Sequence, residues 1–167
     1  MSESLDGGRK TTASTLRDIL TNKQLAKVGD GVANLIYSLA LLMATGKVKT
    51  TKVPGFVLSS ALKSSGLRSH LPSRQNTHSL SDAAEALIAY AWLTGVIEIK
   101  EAAKHVATFL SANCTHQKNL EHAILAFSTL LKTILYCIKD RMENLKFNPS
   151  EDLQNKAKRR LLLEFLS

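Results

Sequence analysis

The chain has 167 residues, of which 44% are apolar and 5% aromatic, and it carries a formal net charge of +8. This length suits one domain, or one domain with an extension, and the apolar fraction excludes the disordered class. The positive charge favours an anionic partner, and nucleic acid is a commoner partner of that kind than an anionic membrane surface.

The first 13 residues are polar and contain glycine, so we expect a flexible N-terminus without the apolar run of a signal peptide. The longest apolar runs further along contain Lys, His or Glu, which argues against a membrane span and for a cytoplasmic protein. Cys114 and Cys137 form no Cys-x-x-Cys pattern. Neither a disulfide framework nor a zinc site is therefore indicated.

The first half of the chain predicts three helices. A short helix begins at about Ser14, and a long one covers 23–44 and ends near Gly46, a suitable C-cap residue. The connector KVKTTKVPG follows, and then FVLSSALKSSG predicts a helix that ends at Gly66. Its apolar side is expected to carry Phe56, Val57, Ala61 and Leu62.

A long polar loop is predicted in LRSHLPSRQNTHSLS, where Pro72 opposes a helix. Loops of this length in a compact domain are often functional. Arg68 and Arg74 in the loop, with Lys63 just before it, are candidates for phosphate contacts or simply solvated charges. The histidines His70 and His78 could approach a site, although exposed loop histidines are more common.

The second half also predicts helices: about 81–94 with a stop at Gly95, then IEIKEAAKHVATFLSAN, then 116–146. The last of these has an apolar stripe of Leu120, Ile124, Phe127, Leu131, Ile134, Leu135 and Ile138. A final amphipathic helix is expected after Pro149, with Ser150 as its cap. We find no convincing strand and predict an all-α fold.

Three acids stand apart from other charges in the predicted helices. Asp30 lies between Gly29 and Gly31, while Asp82 and Glu85 are spaced i, i+3 and therefore share one helix face. Asp-x-x-Glu at a helix start also forms a capping box, and spacing alone favours that interpretation. The alternative is a site for a hard divalent cation such as magnesium, which prefers oxygen ligands.

Two segments, KVGDGVANLIYSLA and SDAAEALIAYAWLTG about fifty residues later, resemble the two signature segments of the ribonuclease III catalytic domain. The matching residues are Gly29 and Asp30, then Asp82, Glu85, Ala86, Leu87 and Gly95. KVPGFVLSSALKSSGL between them is similar to the family's middle helix. The resemblance covers about 14–112 and is closest to small archaeal ribonuclease III-like proteins and to Mini-III-type enzymes, which lack a double-stranded-RNA-binding domain.

The resemblance implies a ribonuclease III-like helical bundle that acts as a homodimer on structured or double-stranded RNA. Asp30, Asp82 and Glu85 would be the catalytic acids and would hold Mg²⁺, or Mn²⁺ in its place, for phosphodiester hydrolysis. The glycines beside Asp30 would then allow close approach of two helices. Residues 14–112 would form the catalytic core, and 113–167 a helical extension packed on that core.

The sequence departs from the family's pattern at three positions. Ala26 stands where the family usually has Glu, Lys27 where an aromatic residue often follows, and Phe56 near a further acid of the middle helix. Mini-III enzymes also have Ala at the first of these positions. These departures keep open a catalytically inactive RNA-binding or scaffold protein on the same fold. A helical protein-interaction module is a third interpretation.

Overall fold

The computed structural model of the protein describes residues 12–145, and in that range it contains helices and no strand. The helices are α1 (Thr12–Leu20), α2 (Lys23–Thr45), α3 (Gly55–Ser64), a 3₁₀ helix (Leu67–His70), α4 (Thr77–Leu93), α5 (Ile99–Ala107) and α6 (His116–Leu145). The all-α prediction is confirmed. The segment predicted to be flexible lies almost wholly outside the described residues, and the predicted tail helix lies entirely outside them.

Helix α4 forms the centre of the domain, with α1, α2, α3 and α6 packed around it. Its buried residues occupy almost every position from Leu80 to Ala91. Many of them are alanine, namely Ala83, Ala84, Ala86, Ala89 and Ala91. Small side chains let neighbouring helices approach on several sides at once, so α4 can be enclosed without leaving voids.

The closest approach of α2 to α4 occurs at Gly29. A Cβ atom added there would overlap the backbone carbonyl oxygen of Glu85, whereas a Cβ on Gly31 would meet no atom within 4 Å. The expectation that glycines permit close helix approach therefore holds for Gly29 and not for Gly31. This contact sets the distance between the helix that carries Asp30 and the helix that carries Glu85.

Side-chain caps define where α2 and α4 begin. The Asn22 side chain accepts hydrogen bonds from the backbone N–H groups of Gln24 and Leu25, both at 3.0 Å. Asn76 caps α4 through the N–H of Ser79 at 2.8 Å. The prediction that α4 starts at about residue 81 is thus wrong by one helical turn, because Asn76 satisfies the free N–H groups earlier.

The polar segment before α4 is shorter than predicted, since the 3₁₀ helix and the first turn of α4 take up part of it. The Arg68 guanidinium donates to the carbonyl oxygens of Leu71 and Pro72, at 3.4 and 3.0 Å, and so holds this segment in place. Phe56 is 46% exposed rather than packed with Val57 in the core. The expected apolar side of α3 is wrong for that residue.

The long helix α6 closes the core against α3, α4 and α5. Five of its seven stripe residues are buried, while Ile124 and Leu135 are partly buried against the same core. The rings of Tyr37 and Phe127 pack with centroids 6.4 Å apart. By length and composition α2 and α6 could each cross a membrane, but core helices share these properties, and both helices contribute residues to this core.

Candidate active site

The structure brings the three singled-out acids to the seam between α2 and α4. Burial, together with the negative charges of Asp30 and Asp82, raises the pKa of Glu85 from 4.5 to about 7. Both aspartates are therefore close enough to Glu85 to repel its charged form. The capping-box interpretation does not hold, because Asn76 is the N-cap of α4 and Asp82 lies more than a turn inside the helix.

Each aspartate of the seam is paired with a lysine. Lys23 Nζ lies 2.7 Å from Asp82 Oδ2, and Lys52 Nζ lies 3.6 Å from Asp30 Oδ1. His78 Nε2 lies 3.7 Å from the same Asp82 oxygen and pairs with it when protonated. The lysine side chains are 68% and 75% exposed, so each pair adds little stability and either lysine can leave its acid.

Two neutral side chains orient the acids. Asn34 Nδ2 donates to Asp30 Oδ1 at 3.3 Å, while the backbone N–H of Val53 donates to Asn34 Oδ1 at 2.8 Å. This second bond fixes the orientation of the amide and ties α2 to the connector that carries Lys52. On α4, Ser81 Oγ donates to Glu85 Oε1 at 3.3 Å, one turn along the helix.

The three acids have the chemistry of a metal site but not yet its geometry. A set of carboxylates suits a hard divalent cation, and the repulsion at Glu85 is the kind that a cation between the acids relieves. Within residues 12–145, however, no three His, Cys, Asp or Glu side chains already stand close enough to hold a metal ion. The donor set fits such a cation, and the lysines must move away before the carboxylates can surround one.

A cavity of about 250 Å³ opens beside Asp82. Ala26 lies in its wall, at the position where the resemblance leads us to expect Glu, and so does Lys23. Ala26 therefore borders an open space next to Asp82.

The candidate phosphate-binding residues lie apart from this seam. Within the described part of the chain, no hydrogen bond or ion pair joins Lys63, Arg68 or Arg74 to the three acids. Lys63 and Arg74 are exposed, whereas the Arg68 guanidinium is engaged with its own loop. Of the two histidines in question, His78 reaches the seam. Burial and the nearby charge of Lys139 lower the pKa of His70.

Four residues that contact the acids were not predicted from the sequence: Lys23, Asn34, Lys52 and Ser81. Asn34 and Ser81 lie four positions from Asp30 and Glu85, so the i, i+4 spacing on a helix could have revealed them. Lys23 and Lys52 reach their acids only through the packing of different elements, and no local pattern indicates such a contact.

Comparison with known proteins agrees with the geometry. A family model described as Ribonuclease III matches residues 23–143, which include all three acids of the seam. A search of the curated proteins finds no match.

Proposed function

The chain belongs to the ribonuclease III family, and we propose that it is a metal-dependent endoribonuclease that hydrolyses phosphodiester bonds in structured or double-stranded RNA. One observation carries the proposal. Asp30, Asp82 and Glu85 converge at one helix seam, where the two aspartates help raise the pKa of Glu85 to about 7. Repelling carboxylates of this kind are costly for folding and are typical of functional sites.

In this proposal Asp30, Asp82 and Glu85 hold Mg²⁺, or Mn²⁺ in its place. The bound ion supplies an activated water and neutralises charge on the scissile phosphate. Asn34 and Ser81 orient two of the carboxylates through the hydrogen bonds described above. Without the ion the pKa of Glu85 is raised to about 7, and a cation bound between the acids would favour its charged form.

The RNA partner is supported by charge. The chain carries a net charge of +8, and Lys23 and Lys52 stand directly beside the acids. Phosphates that draw these ammonium groups away would free the carboxylates for a cation. Lys63, Arg68 and Arg74 remain candidates for outlying phosphate contacts. Duplex RNA is recognised by its shape, phosphates and 2′-hydroxyls, so binding should weaken steeply with salt.

Self-association as a homodimer is supported by an exposed apolar face on α2. Val28, Leu35 and Met43 are 43–46% exposed and recur at helical spacing along that helix. An apolar stripe beside a charged site is typical of an interaction surface. Sedimentation over a range of protein concentrations would show the dimer, and Leu35→Glu should shift it to monomer.

Kinship with the compact members of the family is part of the same proposal. Ala26 matches the alanine that Mini-III-type enzymes have at this position. After the second signature segment, the described part of the chain contains the helices α5 and α6. These features support an enzyme that binds RNA through its catalytic domain.

The test is a cleavage assay on a long double-stranded RNA at low salt, with Mg²⁺, with Mn²⁺ and with chelator. Asp30→Asn and Glu85→Gln should each lower cleavage by at least about 100-fold, because each removes a proposed metal ligand. Glu121→Gln is the matched control, since Glu121 is an exposed acid on α6, away from the seam. Equal cleavage by all three variants would show that the site is elsewhere.

A catalytically inactive RNA-binding protein on the same fold is the second candidate. It is favoured by Ala26 and Phe56 at usually acidic positions and by the lysines that neutralise both aspartates. Its signature would be salt-dependent RNA binding that persists in chelator, with no cleavage products in either metal.

A further inference from the structure

The cavity beside Asp82 is lined by both apolar and polar residues. Its apolar lining residues, which we call the floor, are each less than 10% exposed: Leu20, Ala26 and Leu71. Its polar lining residues, which we call the rim, are Thr21, Asn22, Lys23, Gln75, Ser79 and Asp82. At about 250 Å³ the cavity is slightly smaller than a typical small-molecule site, so it suits no more than a single ring system.

A nucleobase matches this combination better than a phosphate does. A base has two apolar faces, which an aliphatic floor can cover, and an edge that carries donors and acceptors. Asp82 Oδ2 pairs with Lys23, so the other carboxylate oxygen would accept from an exocyclic amino group, and the Gln75 amide can both donate and accept. A phosphate would gain nothing from the apolar floor and would be repelled by Asp82. Lys23 is placed to meet the phosphate of the same nucleotide.

The small residue at position 26 forms part of the cavity wall. Ala26 is 6% exposed and borders the cavity, so a longer side chain there would project into it. Ala26 stands where the family usually has an acid, and its short side chain leaves room for a ligand beside the seam.

We propose that this cavity is a nucleotide subsite that receives one unpaired base of the RNA while the flanking duplex lies across the acids. The inference rests on the RNA-binding part of the proposed function, because it identifies which structured RNAs the site prefers. An unpaired base is already partly unstacked, so turning it into a pocket costs less than extracting a paired one. The preferred substrate is therefore a stem interrupted by a single bulged nucleotide.

The test compares two labelled hairpins that share one stem, with and without a single bulged nucleotide, by fluorescence polarisation in chelator. Wild type should bind the bulged hairpin about tenfold more tightly, as expected for one buried base. Ala26→Leu should bring this ratio to about one and leave affinity for the paired hairpin unchanged. Circular dichroism would confirm that the variant is folded.

A second pair of variants keeps the test decisive if Ala26→Leu does not fold. Lys23→Gln removes a rim cation, and Lys27→Gln removes an equal charge from an exposed position of α2 that does not line the cavity. Both should weaken binding to the paired hairpin to a similar extent. Only Lys23→Gln should also reduce the preference for the bulge.

The outcomes separate this inference from the proposed function. Equal wild-type affinity for both hairpins overturns the subsite, as does a preference that survives Ala26→Leu, even if the protein cleaves duplex RNA. A preference that Ala26→Leu or Lys23→Gln abolishes supports the subsite. Should the same protein cleave nothing with any metal, the subsite would still stand and the nuclease proposal would fail.

Discussion

Alanine substitutions at the two glycines beside Asp30 should change the stability of the fold in opposite directions. Both residues lie inside α2, where alanine is favoured over glycine by about 1 kcal/mol. Gly31 faces open space, so Gly31→Ala should raise the free energy of unfolding by most of that amount. At Gly29 the added methyl group would overlap the carbonyl oxygen of Glu85, which belongs to the backbone of α4 and cannot rotate away.

The magnitude at Gly29 follows from the displacement that the methyl group imposes. Overpacking a well-packed interior costs about 1–3 kcal/mol, and the helix-propensity gain offsets part of this. We expect Gly29→Ala to lower the free energy of unfolding by about 1–2 kcal/mol. The two variants should therefore differ in this free energy by about 2 kcal/mol or more. For a chain of this size, that gap corresponds to about 5 °C in Tm.

The assay is thermal and urea unfolding of both variants beside wild type, followed by circular dichroism at 222 nm. Gly29→Ala should also impair RNA cleavage, since it pushes Glu85 away from Asp30, whereas Gly31→Ala should not act through this contact. If Gly29→Ala proved as stable as Gly31→Ala, the close approach of α2 to α4 at that point would be refuted.

Three further predictions concern the seam and the start of α4. Because the pKa of Glu85 is raised from 4.5 to about 7, the folded state holds its proton more tightly than the unfolded chain and loses stability as the pH rises through this range. The full shift corresponds to about 3 kcal/mol, and solvent screening reduces the expected loss to about 1–2 kcal/mol. Urea midpoints at pH 5 and pH 8 should show this loss for wild type but not for Glu85→Gln, and parallel profiles would contradict it. Asn34→Ala leaves the Val53 N–H without its partner and should cost about 1–2 kcal/mol by urea unfolding. Asn34→Asp keeps the acceptor for Val53 but places a carboxylate beside Asp30, so it should recover only a small part of that stability. Asn76→Ala should cost about 1 kcal/mol through loss of the cap, whereas Asn76→Ser should be nearly neutral, and equal losses in both would argue against capping.

The sequence predicts the helices well where one apolar face repeats over several turns. Both α2 and α6 begin at the predicted residues or within one of them, because long amphipathic stretches leave few alternatives. The start of α4 is harder, since Asn76 and Ser81 are both good caps and local chemistry alone does not choose between them. Burial of Leu80 in the core favours the earlier start, and that depends on tertiary packing.

The sequence predicts the three acids of the candidate site but not the residues that contact them. Asp30, Asp82 and Glu85 can be singled out as isolated charges in apolar helices, and their relative placement follows once α2 and α4 pack. The pairing of Asp82 with Lys23 depends on where the start of α2 lies. The pairing of Asp30 with Lys52 depends on how the connector between α2 and α3 folds over the seam. The exposure of Phe56 similarly reflects the docking angle of α3, which its own periodicity does not fix.

The central position of α4 has a consequence for how activity depends on folding. Asp82 and Glu85 are carried by the helix on which α1, α2, α3 and α6 all pack, so we expect the seam to form together with the rest of the domain. Amide protons from Leu80 to Ala91 should exchange with deuterium only through cooperative opening of the whole domain, and they should be among its slowest. If the domain cleaves RNA as proposed, we therefore expect a chain that has not completed this packing to cleave none.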